Sequence, residues 1–168
     1  VSADKIAIIK YTGSESTVNI PSKIDGFTVT EISGAFNVMD SLKKVVIPST
    51  VTTISASFEY DSNLAEVTIP SSVKTIDANS FYKNTALKSI VIPSSVTTLD
   101  AFQDCTSLTS IKIGDNISNI SAYAFTESPV YENQYKKGIV YIGKCLLYCN
   151  ARVYKSSKVT VKDGTKTI

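Results

Sequence analysis

The sequence predicts a mainly β solenoid. A parallel sheet should cover one face, with short irregular or 3-10 segments between strands and antiparallel caps or a hairpin near the ends. Three observations carry this prediction. A decapeptide recurs as VVIPSTVTTI (45–54), VTIPSSVKTI (67–76) and IVIPSSVTTL (90–99), with a blurred copy IKIGDNISNI (111–120). Phe recurs at 36, 58, 81, 102 and 125, a period of about 21–23 residues. Leu42, Leu64, Leu87 and Leu108 each follow a Phe by six residues. A fixed period in this range marks stacked repeats, because one unit cannot bury its own apolar face and its neighbours must do so.

The elements follow in chain order. Residues 6–11 form an apolar strand-like run, joined through TGSES to Val18, Asn19 and Ile20; together they read as an antiparallel cap within an N-terminal cap and first coil, residues 1–32. Regular repeats occupy 33–126. In SLKKVVIP, Val45 and Ile47 share strand parity and point inward, while Lys44 and Val46 point out. Stacking such strands about 4.8 Å apart buries the inward row continuously. Pro48, Pro70 and Pro93 lack an N–H and end each strand. Ser and Thr hydroxyls then make the turn, Val51, Val73 and Val96 return to the core, Ile54, Ile76 and Leu99 follow, and Phe fills the far side. Length differences between coils all fall between that Ile or Leu and the next Phe, where a surface turn absorbs them.

The repeat breaks at TESPV. Residues 127–158 read as a hairpin insertion in which GIVYIGKCLLYC turns at Gly143 and Lys144. Cys145 and Cys149 would lie on one face of its second strand, roughly 13 Å apart and unable to pair. VTVKDGTKTI (159–168) then aligns with VTIPSSVKTI, placing Val159, Val161 and Ile168 at core positions of a partial coil. The expectation is a single solenoid domain over 1–168 that either ends in an incomplete coil or, the favoured reading, belongs to a longer array, with an unfinished C-terminal edge that invites self-association. The start at Val1, without Met, fits a processed or excised chain.

Composition narrows the chemistry. Apolar residues make up 43% and charged residues 19%, a globular balance. A net charge of +2 without a basic cluster argues against nucleic acid or an anionic membrane surface as partner. No apolar run approaches the roughly 18 residues of a membrane span. There is no His, which removes the usual general base and metal ligand, and the three Cys form no C-x-x-C pair. The odd Cys count leaves at least one thiol free, and all three read as buried apolar groups. Asp61, Asp77, Asp100, Asp104 and Asp115 read as solvated turn acids, with no carboxylate pair singled out. No catalytic residue, metal ligand or cofactor is expected, and the chain does not read as an enzyme.

The unit L-x-x-[IV]-x-I-P-S-S-V-x-T-I, followed by Phe and x-x-C/N-x-x-L, resembles the BspA-like leucine-rich repeat family. DCTSLTSIKI (104–113), the opening at 11–32 and the tail at 131–168 share the resemblance. It implies a leucine-rich-repeat solenoid of a secreted or surface-attached bacterial protein, adhering to host or neighbouring-cell macromolecules, with proteins ranked ahead of glycans. The chain also departs from the pattern. Thr50, Ser72 and Ser95 stand where the general repeat carries Asn. Ser57 and Ser80 replace the Ala kept before Phe at 35, 101 and 124. Met39, Asp61, Asn84 and Cys105 occupy the family's Cys position.

The candidate binding face is two outward columns on the sheet: Thr17, Lys44, Glu66, Ser89 and Ser110, and beside them Asn19, Val46, Thr68, Val91 and Lys112. The sheet face is the common binding surface of solenoids, although these columns lack the aromatic anchors of strong hot spots. The expected partner is a host matrix or cell-surface protein. Five Tyr crowd the C-terminal segment, and Tyr131 and Tyr135 make a secondary patch for a glycan or protein, or simply pack the hairpin. A carbohydrate-binding module and a structural spacer are the rival readings.

Overall fold

A computed structural model describes residues 4–77, 79–137, 139–149 and 164–165. The N-terminal end is built from β1 (Lys5–Ile8), β2 (Thr17–Asn19), β3 (Lys23–Ile24) and β4 (Phe27–Ser33). Each regular coil then supplies two strands: β5 (Lys44–Val46) and β6 (Thr53–Ser55), β7 (Glu66–Thr68) and β8 (Thr75–Asp77), β9 (Ser89–Ile92) and β10 (Thr98–Leu99), β11 (Ser110–Ile113) and β12 (Asn119–Ile120). Helix α1 (Pro129–Tyr135) and a hairpin of β13 (Ile139–Ile142) and β14 (Cys145–Cys149) follow.

The architecture is the expected parallel solenoid, with two sheeted faces in place of one. The larger sheet runs β1-β4-β6-β8-β10-β12, with β3 antiparallel on β4. It is made from the segments after each turn: Ile32, Ile54, Ile76, Leu99 and Ile120 stack in register and are buried. The other face carries β2-β5-β7 and, separately, β9-β11. Between the faces, Pro48, Pro70 and Pro93 open tight turns in which their carbonyls accept the N–H of Val51, Val73 and Val96 at 3.1–3.2 Å. The turn hydroxyls contribute unevenly. Ser72 Oγ donates to the Val51 carbonyl of the preceding coil at 2.6 Å, whereas the buried hydroxyls of Thr50 and Ser95 find no partner.

The N-terminal cap corrects one expectation. β1 pairs parallel with β4, and β2 parallel with β5, so both belong to the solenoid sheets rather than to an antiparallel cap. Antiparallel pairing at this end is confined to β3 and β4, joined by Asp25 and Gly26 with φ of +50° and +82°. That is the two-residue Asp-Gly turn whose twist suits a hairpin.

The core repeats faithfully. The Leu column is fully buried, as are Phe58, Phe81, Phe102 and Phe125. Consecutive Phe rings from 36 to 125 stack at 5.1–5.6 Å, within 10° of parallel, and Tyr11 caps the row on Phe36 at 4.9 Å. Two residues beyond each Phe, Val38, Tyr60, Lys83, Asp104 and Glu127 adopt φ between +58° and +61°. In the first four of these, the N–H donates to a carbonyl of the next coil at 2.8–3.0 Å. The left-handed residue turns its N–H along the solenoid axis, and that bond offsets its strain.

The Ser-for-Ala departures have a physical account. Ser57 Oγ donates to the Ser55 carbonyl at 2.9 Å, and Ser80 Oγ to the Ile54 carbonyl at 3.1 Å, so both buried hydroxyls are satisfied. The departures at the Cys position form a polar ladder. The Met39 N–H donates to Asp61 Oδ1 at 2.7 Å, the Asp61 N–H to Asn84 Oδ1 at 3.2 Å, and Cys105 Sγ to the Phe81 carbonyl at 3.2 Å. Asp61 is therefore buried and is not the solvated turn acid the sequence suggested.

Residues 127–158 hold more than a hairpin. Pro129 opens α1, whose Val130 N–H donates to the Leu108 carbonyl at 3.1 Å. Gln134 ties the helix to β13, donating to the Tyr141 carbonyl at 2.9 Å and accepting the Tyr141 N–H at 3.0 Å. The predicted hairpin is present, turning at Gly143 and Lys144, and Lys144 reaches Asp115 at 3.3 Å. Val159, Val161 and Ile168 of the expected partial coil, the edge it would expose and the Cys149 side chain lie outside the described residues.

Candidate binding face

Strand register assembles the two outward columns. Thr17, Lys44 and Glu66 lie side by side on β2, β5 and β7, as do Asn19, Val46 and Thr68. Ser89 faces Ser110, and Val91 faces Lys112, on β9 and β11. All are exposed except Lys44 and Val46, which are half-buried. Alternation dictates this: the residues between them, such as Val45 and Ile90, fill the core. Lys44 Nζ meets Glu66 Oε2 at 2.6 Å across neighbouring strands. Such an exposed pair contributes about 0–1 kcal/mol, and its main effect is to fix charge positions on the face.

The columns are not continuous. β7 and β9 are not paired, and a cleft of about 440 Å³ opens between them, lined by residues 65–69 and 89–91. Nothing in the sequence signalled it, since Val67 and Ile90 fit the same template as Val45. A second hollow of about 340 Å³ lies at the N-terminal end, where Ile8, Tyr11, Ile20, Ile24 and Phe36 meet.

The Tyr patch divides. Tyr131 lies on α1 and is buried, while Tyr135, at the end of the same helix, is 43% exposed. Their rings stack at 5.7 Å, and Tyr135 meets Tyr148 of β14 at 4.6 Å. These rings chiefly pack helix against hairpin. A cluster that sequence reasoning missed stands on the turns after Phe58 and Phe81: Tyr60 and Tyr82 meet edge to face at 5.2 Å, with Lys83 Nζ 5.3 and 5.1 Å from their rings. Its only signal was a Tyr close after the Phe in two successive coils, two residues on in one and one residue on in the next.

Electrostatics do not activate the Cys105 thiol. Cys105 and Cys145 are both buried. Burial pushes the Cys105 thiol up to about 12, partly countered by the Asn84 backbone N–H and reinforced by Asp104. Asp61 is raised to about 7, first by burial, against the Met39 N–H that favours its charge, and further by Asp40. Among the described residues no cluster of His, Cys, Asp and Glu could hold a metal ion, and no helix is long and apolar enough to cross a membrane.

Stacked coils, a Phe spine and a polar sheet face define a leucine-rich-repeat solenoid. The chain belongs to the BspA type leucine rich repeat family, whose model matches residues 10–128 and 98–168 in six copies. Three solved structures are similar, each over 76% of this chain. The T. pallidum leucine rich repeat protein is 32% identical with a TM-score of 0.71. A leucine rich cell surface protein from Faecalibacterium prausnitzii is 27% identical with a TM-score of 0.54. A leucine-rich repeat protein from Bacteroides ovatus is 25% identical with a TM-score of 0.54. The matched regions span 65%, 43% and 42% of those chains. No curated protein matches the sequence.

Proposed function

We propose that this chain is a binding module displayed outside the cell or on its surface, which adheres to a protein partner through the sheet face of its solenoid. The observation that carries the reading is the register of the two outward columns. Polar and charged side chains, from Thr17 to Glu66 and from Ser89 to Lys112, sit at the spacing of paired strands on a stack of packed coils. A pre-ordered surface loses little entropy when it binds, which suits a scaffold whose own chemistry is inert. Family membership supports a binding role over catalysis, and the cell surface protein among the similar structures supports an extracellular setting. A glycan site at the Tyr patch has less support, because Tyr131 is buried and offers no free ring.

A binding screen of the purified chain against matrix proteins and glycans at physiological salt tests the reading. Beside it runs a variant carrying Lys44→Glu, Glu66→Lys and Lys112→Glu. Saturable protein binding that the folded variant loses supports the sheet face as the site. Binding to neither class overturns it and leaves a structural spacer.

A further inference from the structure

We propose that the cleft between β7 and β9 receives an extended polypeptide segment, which inserts as an extra strand and pairs its main chain with both edges. This rests on the binding role above and names how one partner is held.

Elsewhere on this face the hydrogen-bond series is regular. The Lys43 carbonyl accepts the N–H groups of Ala65 and Glu66 at 2.9 and 3.1 Å, and the Lys88 carbonyl those of Thr109 and Ser110 at 3.1 and 3.3 Å. At the other strand end, Ile47 N–H reaches the Thr68 carbonyl and Gly114 N–H the Ile92 carbonyl, at 3.4 and 2.9 Å. The bonds that would continue the series, from Ser89 N–H to the Ala65 carbonyl and from Ile69 N–H to the Val91 carbonyl, are not formed. In a parallel strand both peptide groups of a residue face the same side, and successive residues alternate. Glu66 and Thr68 bond to β5, so Val67 presents its N–H and C=O to the cleft. Ile90 and Ile92 bond to β11, so Ser89 and Val91 present theirs from the other side.

The two strands stand apart, and a guest enters where their edges part further. Most Cα pairs between β7 and β9 lie beyond 8 Å, whereas paired strands sit about 4.8 Å apart and a guest between two strands needs about twice that. Val67 is only partly buried, as Ile111 is, whereas Val45 is 0% exposed and Ile90, across the opening, 3%. The two faces of the cleft thus offer unpaired donors and acceptors along parallel strands, which only an extended main chain matches at every step. Alternation sets the guest's side chains. Inward positions lie level with Val67 and Ile90 and call for β-branched apolar residues. Outward positions lie between Glu66 and Ser89, and between Thr68 and Val91, and call for polar ones.

The test uses the full chain and a labelled peptide, acetyl-Lys-Thr-Val-Thr-Val-Thr-Lys-amide, with a copy N-methylated at both Val. Anisotropy titration should give saturable binding of the first and at least about tenfold weaker binding of the second, which keeps the side chains but loses donors. Ser89→Pro removes a donor from the cleft without touching the β9–β11 ladder, and should weaken the peptide similarly. Backbone amide exchange of the unaltered chain gives a reading that needs no variant: Val67, Ser89, Val91 and Ile69 N–H should exchange fast alone and slow with peptide. Slow exchange without peptide would mean that the ladder is closed, and overturns the proposal; so does equal binding of both peptides, or of neither. Matrix-protein binding without peptide binding would defeat strand insertion alone, and peptide binding without any protein partner would defeat the sheet-face reading alone.

Discussion

The Met39 N–H donates to Oδ1 of Asp61, one coil further along, at 2.7 Å, while Oδ2 of the same carboxyl is buried without a partner. One oxygen of Asp61 therefore acts as a structural acceptor, and the other pays a desolvation penalty whenever the group is charged.

The consequence is a pH dependence. The Asp61 pKa is raised from 3.8 to about 7 in the folded chain. Between these values the folded state holds a proton that the unfolded state has released, so stability falls as pH rises through that window. Asp61→Asn keeps an oxygen for Met39 and removes the charge. It should raise stability at pH 8 by about 1–3 kcal/mol, and by much less at pH 4. Urea denaturation of both chains at the two pH values checks this; an unchanging difference would rule out the titration.

Phe81 lies between Phe58 at 5.3 Å and Phe102 at 5.1 Å, nearly parallel to both and fully buried. Phe81→Ala should cost about 3–5 kcal/mol. An unchanged melting temperature would contradict the stacked core.

What the sequence made legible was whatever recurs in residue type. Phe, Leu and the inward Val and Ile positions fell into register because each coil spells them alike, and among the described residues the Phe rings and the Ile and Leu of the larger sheet stack from coil to coil. The second sheet escaped because strands of two or three residues, such as Thr98–Leu99, are too short to show an alternation. Helix α1 escaped for a similar reason: its seven residues are two turns, and Ser128-Pro129 read as a break when it was a helix start. Asp61 was misread because a carboxylate beside a turn is usually solvated, and only the neighbouring coil's backbone gives it a buried role. The opening between β7 and β9 had no local signature, since it is a property of two coils and not of either one.

Val38 is a β-branched residue held at φ +61° on an exposed turn. The left-handed region costs an L-residue about 1–2 kcal/mol, and glycine escapes that cost while losing some chain entropy. Its N–H bond to the Glu59 carbonyl, at 2.8 Å, survives the change. Val38→Gly should therefore stabilise the chain by about 0.5–1 kcal/mol. Equilibrium denaturation reads the sign, and a destabilised variant would mean that the exposed Val side chain supports the turn.

Gly114 stands where the other repeats carry Pro48, Pro70 and Pro93, and the replacement has a steric cause. Its N–H donates to the Ile92 carbonyl at 2.9 Å, a bond that proline could not make. A Cβ at this position would run into the backbone of Ser94 in the preceding coil. Backbone cannot swing aside as a flexible side chain can, so relief requires β11 to shift against β9. Gly114→Ala should cost about 1–3 kcal/mol, the usual range for overpacking. The loss should come with faster amide exchange at residue 114, because the bond to Ile92 stretches as the coils separate. Gly164→Ala serves as a comparison, since a Cβ there meets no neighbouring atom and strains only its own φ of +70°. Gly114 has no left-handed φ of its own, so a loss there with unchanged amide exchange at residue 114 would show that coil-to-coil contact does not set the cost.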